Sequence, residues 1–499
     1  MAYLMGCDVG SSSVKVSVLD DQGRVVGSAF SPETEMRIRA PQPGMAEQDP
    51  ALWWAHLKKA AEMVRAQTGI DFQEIRGIGI SYQMHGLVCV DKNQEVLRPS
   101  IIWCDSRAVG RGEEAGRVIG EERCLNKLLN LPGNFTASKL AWVRENEPDI
   151  FSRIDKIMLP GDYIAMRMTG DVRTTTSGLS EGIFWDFEDR KPSVDILEAY
   201  QIPQDMLAER VDLFSVQGEL TSDAAGELGL QAGTPVAYRA GDQPNNAFSL
   251  NVLEPGEFAV TAGTSGVVYG VSSNVSYDKK SRVNVFAHVN YAEENPVYGV
   301  LLCLNGTGIL NSWMRRSFSA GGSELSYEDM NQLAAGVSPG SEGLLTIPFG
   351  NGAERVLENR NVGASLHGLD LNIHERGHVF RSAQEGVIFG FCYGMEIMKN
   401  MGLESRVLRA GHANMFLSPV FQQAFASATD TVLHLYNTDG AVGAARGAGV
   451  GAGIFSDFSE AFNGLEVIRT IEPEAEEQKR YPEVYETWKH ILNKEITNG

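Results

Sequence analysis

The segment YLMGCDVGSSSVKVSVL, residues 3–19, decides how the chain begins to fold. Tyr3 to Val9 is apolar and predicts a buried strand, and Val14 to Leu19 alternates apolar and polar residues like a second strand. The small residues 10–13 join them in a tight turn. After the hairpin turn 20–24, a third strand is predicted from Val25 to Phe30. The chain therefore opens with an antiparallel meander, not with the parallel βαβ unit of a Rossmann fold.

The same pattern returns about half a chain later, in the segment EFAVTAGTSGVVYGV, residues 257–271. It predicts a strand, a tight turn at 263–266 and a returning strand. Gly263 lies 253 positions after Gly10, which indicates two duplicated domains that each open with a hairpin. Glu254-Pro-Gly256 punctuates the chain, so the predicted domains are residues 1–250 and 251–499. Because no low-complexity linker separates them, we expect two lobes that close on a cleft.

The composition is that of an ordinary globular protein with an acidic surface. The 499 residues are 43% hydrophobic and 21% charged, and the formal net charge is −21. Such a surface disfavours nonspecific nucleic-acid binding and polybasic membrane docking, so we expect neither partner. It also repels nucleotides, so any phosphate site has to be made locally by backbone amides or a metal ion.

Cysteine usage and the lack of targeting segments predict a cytoplasmic protein. The six cysteines form no Cys-x-x-Cys pair and show no zinc-binding spacing with the nine histidines, which favours a reducing compartment. The residues before Cys7 lack the basic start and the long apolar stretch of a signal peptide. No run of about 18 apolar residues predicts a membrane span.

Asp8 and the turn after it form the first candidate site. Residues 10–13 offer N–H groups and hydroxyls that can form a nest for phosphate oxygens. Asp8, at a strand end, can hold Mg²⁺ through water, since Mg²⁺ keeps much of its hydration. The alternative is an ordinary hairpin whose turn needs Gly10. The second turn at 263–265 favours the phosphate site, because two such turns can grip one polyphosphate.

Asp242 is the candidate general base. It follows a predicted strand from Thr234 to Tyr238 and the hinge Ala240-Gly241, where a lone carboxylate is placed to accept a proton from a substrate hydroxyl. Pro244 in the next turn makes a helix cap a credible alternative. The two roles are compatible.

Another strand end carries residues suited to a sugar. The predicted strand Ile75 to Ser81 stops at Tyr82-Gln-Met-His-Gly86, so that Met84 can pack on a carbon face while His85 bonds hydroxyls. The alternative for His85 is a buried, satisfied histidine. Trp103-Cys-Asp-Ser-Arg107 adds a carboxylate and a guanidinium for polyols, and its alternative is a surface Asp–Arg pair of little consequence.

Two segments of the second half are candidates for nucleotide contacts. Arg409-Ala-Gly-His-Ala-Asn414 follows a strand-like segment, and Asp439 to Ala448 is a run of small residues on a predicted helix. Small residues let an adenine ring, or another backbone, approach closely. Close packing of helix on sheet explains the second run at least as well. The loop Phe349 to Arg355 suggests no function by its spacing.

Together, and in order along essentially the whole chain, these segments resemble the FGGY carbohydrate kinases of the actin-like, hexokinase-like ATPase superfamily. Residues 83–86 are most similar to the substrate segment of the xylulokinase branch, and 103–107 to the family's tryptophan–acidic–arginine segment. Gly241-Asp242 matches the motif that bears the base, and Gly352-Ala-Glu-Arg355 resembles a Gly-Glu-Arg loop with an inserted alanine.

Two segments depart from the family pattern. Gln243-Pro244 follows the base where xylulokinases usually carry asparagine, and Ala410-Gly411-His412 replaces a glycine triplet. The first departure concerns the identity of the sugar, and the second concerns how tightly the nucleotide binds. Neither removes a catalytic group.

The resemblance implies an α/β fold of two duplicated actin-like, ribonuclease-H-like domains, each a mixed sheet flanked by helices, around a central cleft. It implies transfer of phosphate from ATP to a ketopentose, D-xylulose first of all, to give the 5-phosphate and ADP. Asp242 would be the base, and Asp8 would hold Mg²⁺ through water. The substrate residues implied are Met84, His85, Trp103, Asp105, Arg107, Asp242 and Gln243. The residues implied for ATP and its phosphates are Gly10, Ser11, Ser12, Ser13, Lys15, Gly263, Thr264, Ser265, Gly306, Gly411, His412 and Asn414.

Other interpretations stay open at this point. The sugar can be another ketose or polyol, such as L-xylulose, ribulose or fructose. A non-enzymatic sugar sensor with this fold is a second alternative, although retention of both Asp8 and Asp242 argues against it. An actin-like filament subunit is remoter, and a homodimer is left open as the oligomeric state.

Overall fold

The computed structural model describes residues 2–319 and 325–498. The chain divides into two compact units, each made of three segments. The first unit comprises Met1–Leu253, Phe286–Tyr298 and Thr438–Leu465, and the second comprises Glu254–Val285, Gly299–Asn437 and Glu466–Gly499. The division into domains at residues 250 and 251 stays a prediction, because these units group segments by contact and not by order along the chain.

The described residues form strands and helices of very different lengths. The strands are β1 (Tyr3–Val9), β2 (Val14–Asp20), β3 (Val25–Ser31), β4 (Glu47–Gln48), β5 (Ile75–Tyr82), β6 (Val88–Val90), β7 (Ser100–Ile101), β8 (Lys156–Met158), β9 (Arg173–Thr174), β10 (Trp185–Asp186), β11 (Lys191–Pro192), β12 (Glu209–Arg210), β13 (Gly218–Glu219), β14 (Pro235–Gly241), β15 (Phe258–Ala262), β16 (Gly266–Ser272), β17 (Asn284–Ala287), β18 (Tyr298–Leu304), β19 (Leu345–Phe349), β20 (Gly363–His367), β21 (Val407–Gly411), β22 (Val432–Tyr436) and β23 (Val467–Ile471). The helices are α1 (Pro50–Thr68), α2 (Val109–Ile119), α3 (Glu121–Leu128), α4 (Thr136–Asn146), α5 (Pro148–Phe151), α6 (Pro160–Thr169), α7 (Thr176–Glu181), α8 (Val194–Tyr200), α9 (Ser222–Leu228), α10 (Asp242–Ser249), α11 (Gly308–Phe318), α12 (Tyr327–Ala335), α13 (Arg376–Asn400), α14 (Pro419–Thr429), α15 (Gly440–Gly451), α16 (Phe458–Ala461) and α17 (Ala475–Asn498).

The opening meander predicted from the sequence is confirmed. β2 pairs antiparallel with both β1 and β3, and the predicted bounds of these strands differ from the observed ones by no more than one residue. The predicted start of α1 is also confirmed, since Asp49 caps the helix by accepting a hydrogen bond from Ala51 N and Pro50 is the first helical residue.

Each unit contains one mixed sheet, and the two sheets have the same strand order. The first sheet runs β13-β14-β5-β1-β2-β3, and the second runs β23-β22-β21-β15-β16-β18, with β17 beyond β18. In the first sheet β1 pairs antiparallel with β2 and parallel with β5, and in the second sheet β15 pairs antiparallel with β16 and parallel with β21. The duplicated α/β fold predicted from the sequence is therefore confirmed.

In the first unit, helices cover both faces of the sheet. Successive side chains of β1 point to opposite faces, so Met5 and Cys7 join the core that includes Trp53 of α1, while Leu4 packs with Val442 of α15. The backbone of α15 lies directly on the sheet, because a Cβ atom added to Gly79 would come within 1.9 Å of Ala444 O. Close packing of helix on sheet thus explains the small residues of this helix.

Two further sequence expectations can be compared with the described residues. All six cysteines carry free thiols. Across residues 2–319 and 325–498, every helix is too short or too polar to cross a bilayer.

Candidate active site

Three neighbouring parallel strands of the first unit bring the candidate acidic residues to one edge of its sheet. In β1, Asp8 lies opposite Ser81 of β5, and Ser81 in turn lies opposite Ala240 of β14. Asp242 directly follows the end of β14. Ser81 Oγ donates a 2.8 Å hydrogen bond to Asp8 Oδ1. The sheet register, therefore, places the candidate metal ligand and the candidate base at the same set of strand ends.

Asp242 has the electrostatic environment of a group that can take up a proton near neutral pH. Burial raises its pKa to about 7, the charge of Asp8 adds to the rise, and hydrogen bonds from Gln243 oppose it. The N-cap residue of α10 is Gly241 and Asp242 is the first helical residue, so the cap position lies one residue earlier than the sequence alternative placed it. Its carboxylate accepts hydrogen bonds from the backbone N–H groups of Asp242 and Gln243 in the first turn, so a role at the helix start and a role as base are compatible.

Gly440 of α15 lies against the carboxylate of Asp8. A Cβ atom at residue 440 would lie 2.5 Å from Asp8 Oδ2. Any side chain at this position would therefore crowd that oxygen, and glycine does not. Burial raises the pKa of Asp8, and the hydrogen bond from Ser81 opposes the rise. Beside it, Lys15 Nζ and Asp439 Oδ2 form a 2.6 Å ion pair. In the parts of the chain that are described, no three His, Cys, Asp or Glu residues are grouped so as to hold a metal ion by themselves.

The first hydroxyl-rich turn is braced by neighbouring side chains. Gly10 N bonds Ser13 O at 3.0 Å, and Gln48 Nε2 donates to Ser11 O at 2.7 Å. The indole Nε1 of Trp103 donates to Ser11 Oγ at 3.2 Å, a link between the predicted sugar and phosphate residues that the sequence did not suggest. Ser12 is exposed at the tip. The turn is thus fixed in shape while its tip stays open.

Met84 and His85 lie at the end of β5, next to the end of β14. The side chain of Met84 is buried against Gly241, where a Cβ atom would come within 2.7 Å of Met84 Cγ. His85 is partly buried and hydrogen-bonded through Nδ1 to the carbonyl oxygen of Glu181 at 2.9 Å. His85 is therefore a satisfied histidine that is not fully buried, and both of its predicted interpretations keep a structural basis.

Asp105 and Arg107 form an interior ion pair. Their side chains are 0% and 3% exposed, and Arg107 Nη2 lies 2.7 Å from Asp105 Oδ2. Asp105 also accepts a bond from Ala46 N, and Arg107 reaches Glu47. The alternative of an inconsequential surface pair is wrong, and a role of these two groups in sugar binding stays a prediction.

In the second unit, the candidate nucleotide residues gather at the corresponding sheet edge. The turn 263–265 follows β15, and residues 411–414 lie at and after the end of the neighbouring parallel strand β21. A Cβ atom on Gly263 would lie 3.5 Å from Asn414 Nδ2, and Gly308 N bonds Gly263 O at 2.9 Å. Thr264 is exposed. The structure brings these predicted residues together within this unit.

The loop without a predicted function holds the turn before α11. Glu354 is fully buried, and its carboxylate accepts 3.0 Å bonds from both Asn305 N and Gly306 N. Burial raises the pKa of Glu354 to about 7. A Cβ atom at Gly306 would come within 2.1 Å of Pro348 O, so this backbone approach requires glycine. In the sequence, Glu354 stood out only as part of a segment that resembles the Gly-Glu-Arg loop of the family, and no role could be assigned to it.

A mostly apolar cavity of about 440 Å³ adjoins this turn. Its walls include Ile309, Trp313 and Met314 of α11, together with Pro348 and Leu366. The indole of Trp313 is half exposed. A mostly apolar cavity of this size is typical of small-molecule sites.

Comparisons with known proteins bear on the whole chain. The family model described as "FGGY family of carbohydrate kinases, N-terminal domain" matches residues 3–249, and the model of the C-terminal domain of that family matches residues 258–452. A xylulose kinase of Lactococcus lactis is 28% identical over 500 residues, covering 98% of this chain and 96% of the relative. Among solved structures, a xyloylose kinase from Brucella ovis has a TM-score of 0.87 at 28% identity, with 98% of each chain covered. A gluconate kinase from Lactobacillus acidophilus shares the fold, with a TM-score of 0.86 at 21% identity over 99% of this chain and 98% of that one.

Proposed function

This chain belongs to the FGGY family of carbohydrate kinases, and from that premise we propose that it is a xylulokinase. It transfers the γ-phosphate of ATP to a hydroxyl of D-xylulose, giving D-xylulose 5-phosphate and ADP. The substrate proposal is supported by full-length relatives named as xylulose kinases and by Met84 and His85 at the end of β5. We place the enzyme in the cytoplasm, where its free thiols stay reduced.

The observation that supports the mechanism best is the environment of Asp242. A general base works well when its pKa lies near the working pH, and the pKa of Asp242 is raised to about 7. The sugar hydroxyl attacks the γ-phosphorus while the bond from this phosphorus to the bridging oxygen breaks and ADP leaves. The hydroxyl proton goes to the Asp242 carboxylate. Little further covalent chemistry is required, because phosphoryl transfer depends mainly on alignment and charge stabilisation.

Mg²⁺ bound with ATP fits the residues around Asp8. Magnesium prefers carboxylate oxygens, phosphate oxygens and several waters, and Asp8 presents one oxygen held by Ser81 and one next to Gly440. When bound, the ion neutralises charge on the phosphates. The grouping of Asp8 and Asp439 with Lys15 leaves most coordination sites to water and phosphate.

The two hydroxyl-rich turns are proposed to bind phosphate oxygens through backbone N–H groups. Residues 10–13 do so in the first unit with help from Lys15, and residues 263–265 do so in the second. Gly306, Gly411, His412 and Asn414 are proposed to contact the nucleoside, and the apolar cavity beside α11 is suited to the adenine ring. Since the net charge is −21, these short-range donors have to do what a positive surface does in other nucleotide-binding proteins.

For the sugar, we propose direct contacts from Met84, His85, Trp103 and Gln243. Trp103 is 43% exposed, so its indole is available to a ligand. Asp105 and Arg107 are proposed to support this pocket, with their interior pair holding the segment 103–107 in place.

The decisive experiment is an assay of the purified protein against a panel of ketoses and polyols. ADP release with Mg-ATP is measured for D-xylulose, L-xylulose, ribulose, fructose, glycerol and gluconate. We expect the highest kcat/KM for D-xylulose. A higher kcat/KM for another sugar would contradict D-xylulose as the substrate but would still support the kinase activity.

The second candidate is a kinase of this family for another ketose or polyol. Gln243-Pro244 after the base favours it, because xylulokinases usually carry asparagine there. The gluconate kinase that shares the fold illustrates that the fold alone does not select a sugar. A sugar sensor without turnover is the remaining alternative, and ADP production with any member of the panel would exclude it.

A further inference from the structure

Glu181 is a buried glutamate that sequence analysis did not single out, yet it touches several elements of the sugar pocket. It is the last residue of the short helix α7 and is 1% exposed. In sequence it lies 96 residues after His85 and 61 residues before Asp242. Since charged residues are rarely fully buried without partners, its contacts indicate what it does.

The first set of contacts holds His85. Glu181 Oε1 accepts a 3.1 Å bond from the backbone N–H of His85, and the carbonyl oxygen of Glu181 bonds the ring Nδ1 at 2.9 Å. A carbonyl oxygen can only accept, so Nδ1 carries the proton in this bond, and in the neutral ring Nε2 is then an acceptor. One residue thus fixes the position of the His85 backbone and the tautomer of its ring.

His85 needs such support because its backbone is in an unfavourable conformation. Its φ is +60°, in the left-handed region that favours glycine and strains a residue that carries a Cβ atom. Lys139, whose side chain is 0% exposed, donates from Nζ to His85 O at 2.7 Å. The rings of Phe135 and Phe286 lie 5.1 and 5.5 Å from the imidazole. Strained residues persist where their surroundings hold them from several sides.

The other carboxylate oxygen of Glu181 faces the strand that carries the base. Oε2 lies 3.4 Å from Tyr82 Oη, and a Cβ atom added to Gly241 would come within 2.5 Å of it. Asp242 is the next residue, and its charge raises the pKa of Glu181 further beyond the effect of burial. The side chain thus lies between the segment that presents His85 and the one that presents Asp242.

We propose that Glu181 is a positioning residue of the sugar pocket, which holds the imidazole of His85 in register with the end of β14. This inference rests on the proposed function and adds to it a residue that acts through His85 without touching the sugar. Its contact with Gly241 fixes the separation of the two segments, so that the sugar-binding ring and the base meet the same hydroxyl-bearing ligand.

The test compares Glu181→Ala, Glu181→Gln and Glu181→Asp in the full-length enzyme, with the best sugar of the panel as substrate. We expect Glu181→Ala to raise the KM of the sugar about tenfold or more, which corresponds to about 1.4 kcal/mol, with the KM of ATP unchanged. Glu181→Gln keeps an oxygen acceptor for the His85 N–H and should recover most of the sugar affinity. Glu181→Asp, shorter by one methylene group, should raise the sugar KM severalfold, and it decides the test if the alanine variant does not fold.

Glu385→Ala is the matched control. Glu385 is equally buried but lies in the second unit, where it accepts bonds from Gly340 N and Ser341 Oγ. We expect this change to lower the melting temperature and to leave the sugar KM unchanged. A sugar KM in folded Glu181→Ala or Glu181→Asp no higher than in the control would overturn the inference. So would a glutamine variant as impaired as the alanine one. A wild-type enzyme inactive on the whole panel would instead remove the proposed function, and the inference with it.

Discussion

At the scale of single residues, the role of Asp242 as the base can be tested by replacing one carboxylate oxygen with an amide nitrogen. Asp242→Asn is nearly isosteric, but an amide cannot take a proton at neutral pH. We expect kcat to fall by about 10²-fold or more while the dissociation constant of the sugar changes little. Steady-state kinetics together with calorimetry of sugar binding measure both quantities. Near-normal turnover would remove Asp242 from the mechanism.

The raised pKa of Asp242 also predicts how activity depends on pH. Only the unprotonated carboxylate accepts a proton, and burial together with Asp8 moves its pKa from 3.8 to about 7. We therefore expect kcat/KM for the sugar to fall about tenfold per pH unit below neutrality and to level off above it. A profile measured from acidic to alkaline pH shows the midpoint. An ascending limb centred near the ordinary value of an aspartate would contradict this prediction, and the residual activity of Asp242→Asn should lack the limb.

His85 distinguishes a sugar-binding role from a core role. We expect His85→Ala to raise the KM of the sugar much more than that of ATP, because the imidazole lies at the end of β5 with Met84, in the first unit. If His85 served only packing against Phe135 and Phe286, the variant would lose thermal stability with both constants unchanged. Measuring both constants and the melting temperature on one preparation decides between these results.

At the scale of elements, the contact of α15 with the first sheet depends on glycine. The Cβ atom of Gly79→Ala would meet Ala444 O at 1.9 Å, so the helix has to move outward. Overpacking of this kind costs about 1–3 kcal/mol or more of unfolding free energy. The matched control is Gly226→Ala in α9, where an added Cβ meets nothing within 4 Å and should stabilise the helix by up to about 1 kcal/mol. Denaturant unfolding of both variants measures the difference, and equal stability would contradict the prediction.

The elements that sequence patterns predicted are those determined by neighbours in the chain. The meander 3–31 follows from alternation and turn residues, and the cap of α1 follows from Asp49-Pro50. The repeat from Gly10 to Gly263 predicted two sheets of like topology, which the strand orders confirm.

The parts of the candidate site that sequence could not predict depend on distant contacts. Glu181 lies in no motif, and its role requires knowledge that α7 ends beside His85, 96 residues away. The interior position of Asp105 and Arg107 likewise depends on Ala46 and Glu47. Alternation and spacing carry no information about partners that are distant in the sequence. Turns and helix caps can be predicted because they depend only on neighbouring residues.

At the scale of the whole molecule, each compact unit is built from segments that are far apart in the sequence. The first unit takes up Phe286–Tyr298 and Thr438–Leu465 in addition to Met1–Leu253. The last segment includes α15, which covers the face of the first sheet that carries Leu4 and Gly79. A boundary near residue 250 therefore does not by itself define a part of the chain that can bury its own core.

The assembly of the first unit from three segments predicts how fragments of the chain fold. A fragment of residues 1–253 lacks α15, so the sheet face against which Gly447 packs on the ring of Tyr238 is left uncovered. We expect this fragment to aggregate or to melt without cooperativity, because a sheet flanked by helices needs apolar cover on both faces. The matched control joins 1–253, 286–298 and 438–465 through Gly/Ser linkers in one chain, and it should show a cooperative melt and near-ultraviolet circular dichroism. A cooperative melt of 1–253 alone would show instead that the N-terminal domain predicted from the sequence folds by itself and that α15 is not required for it.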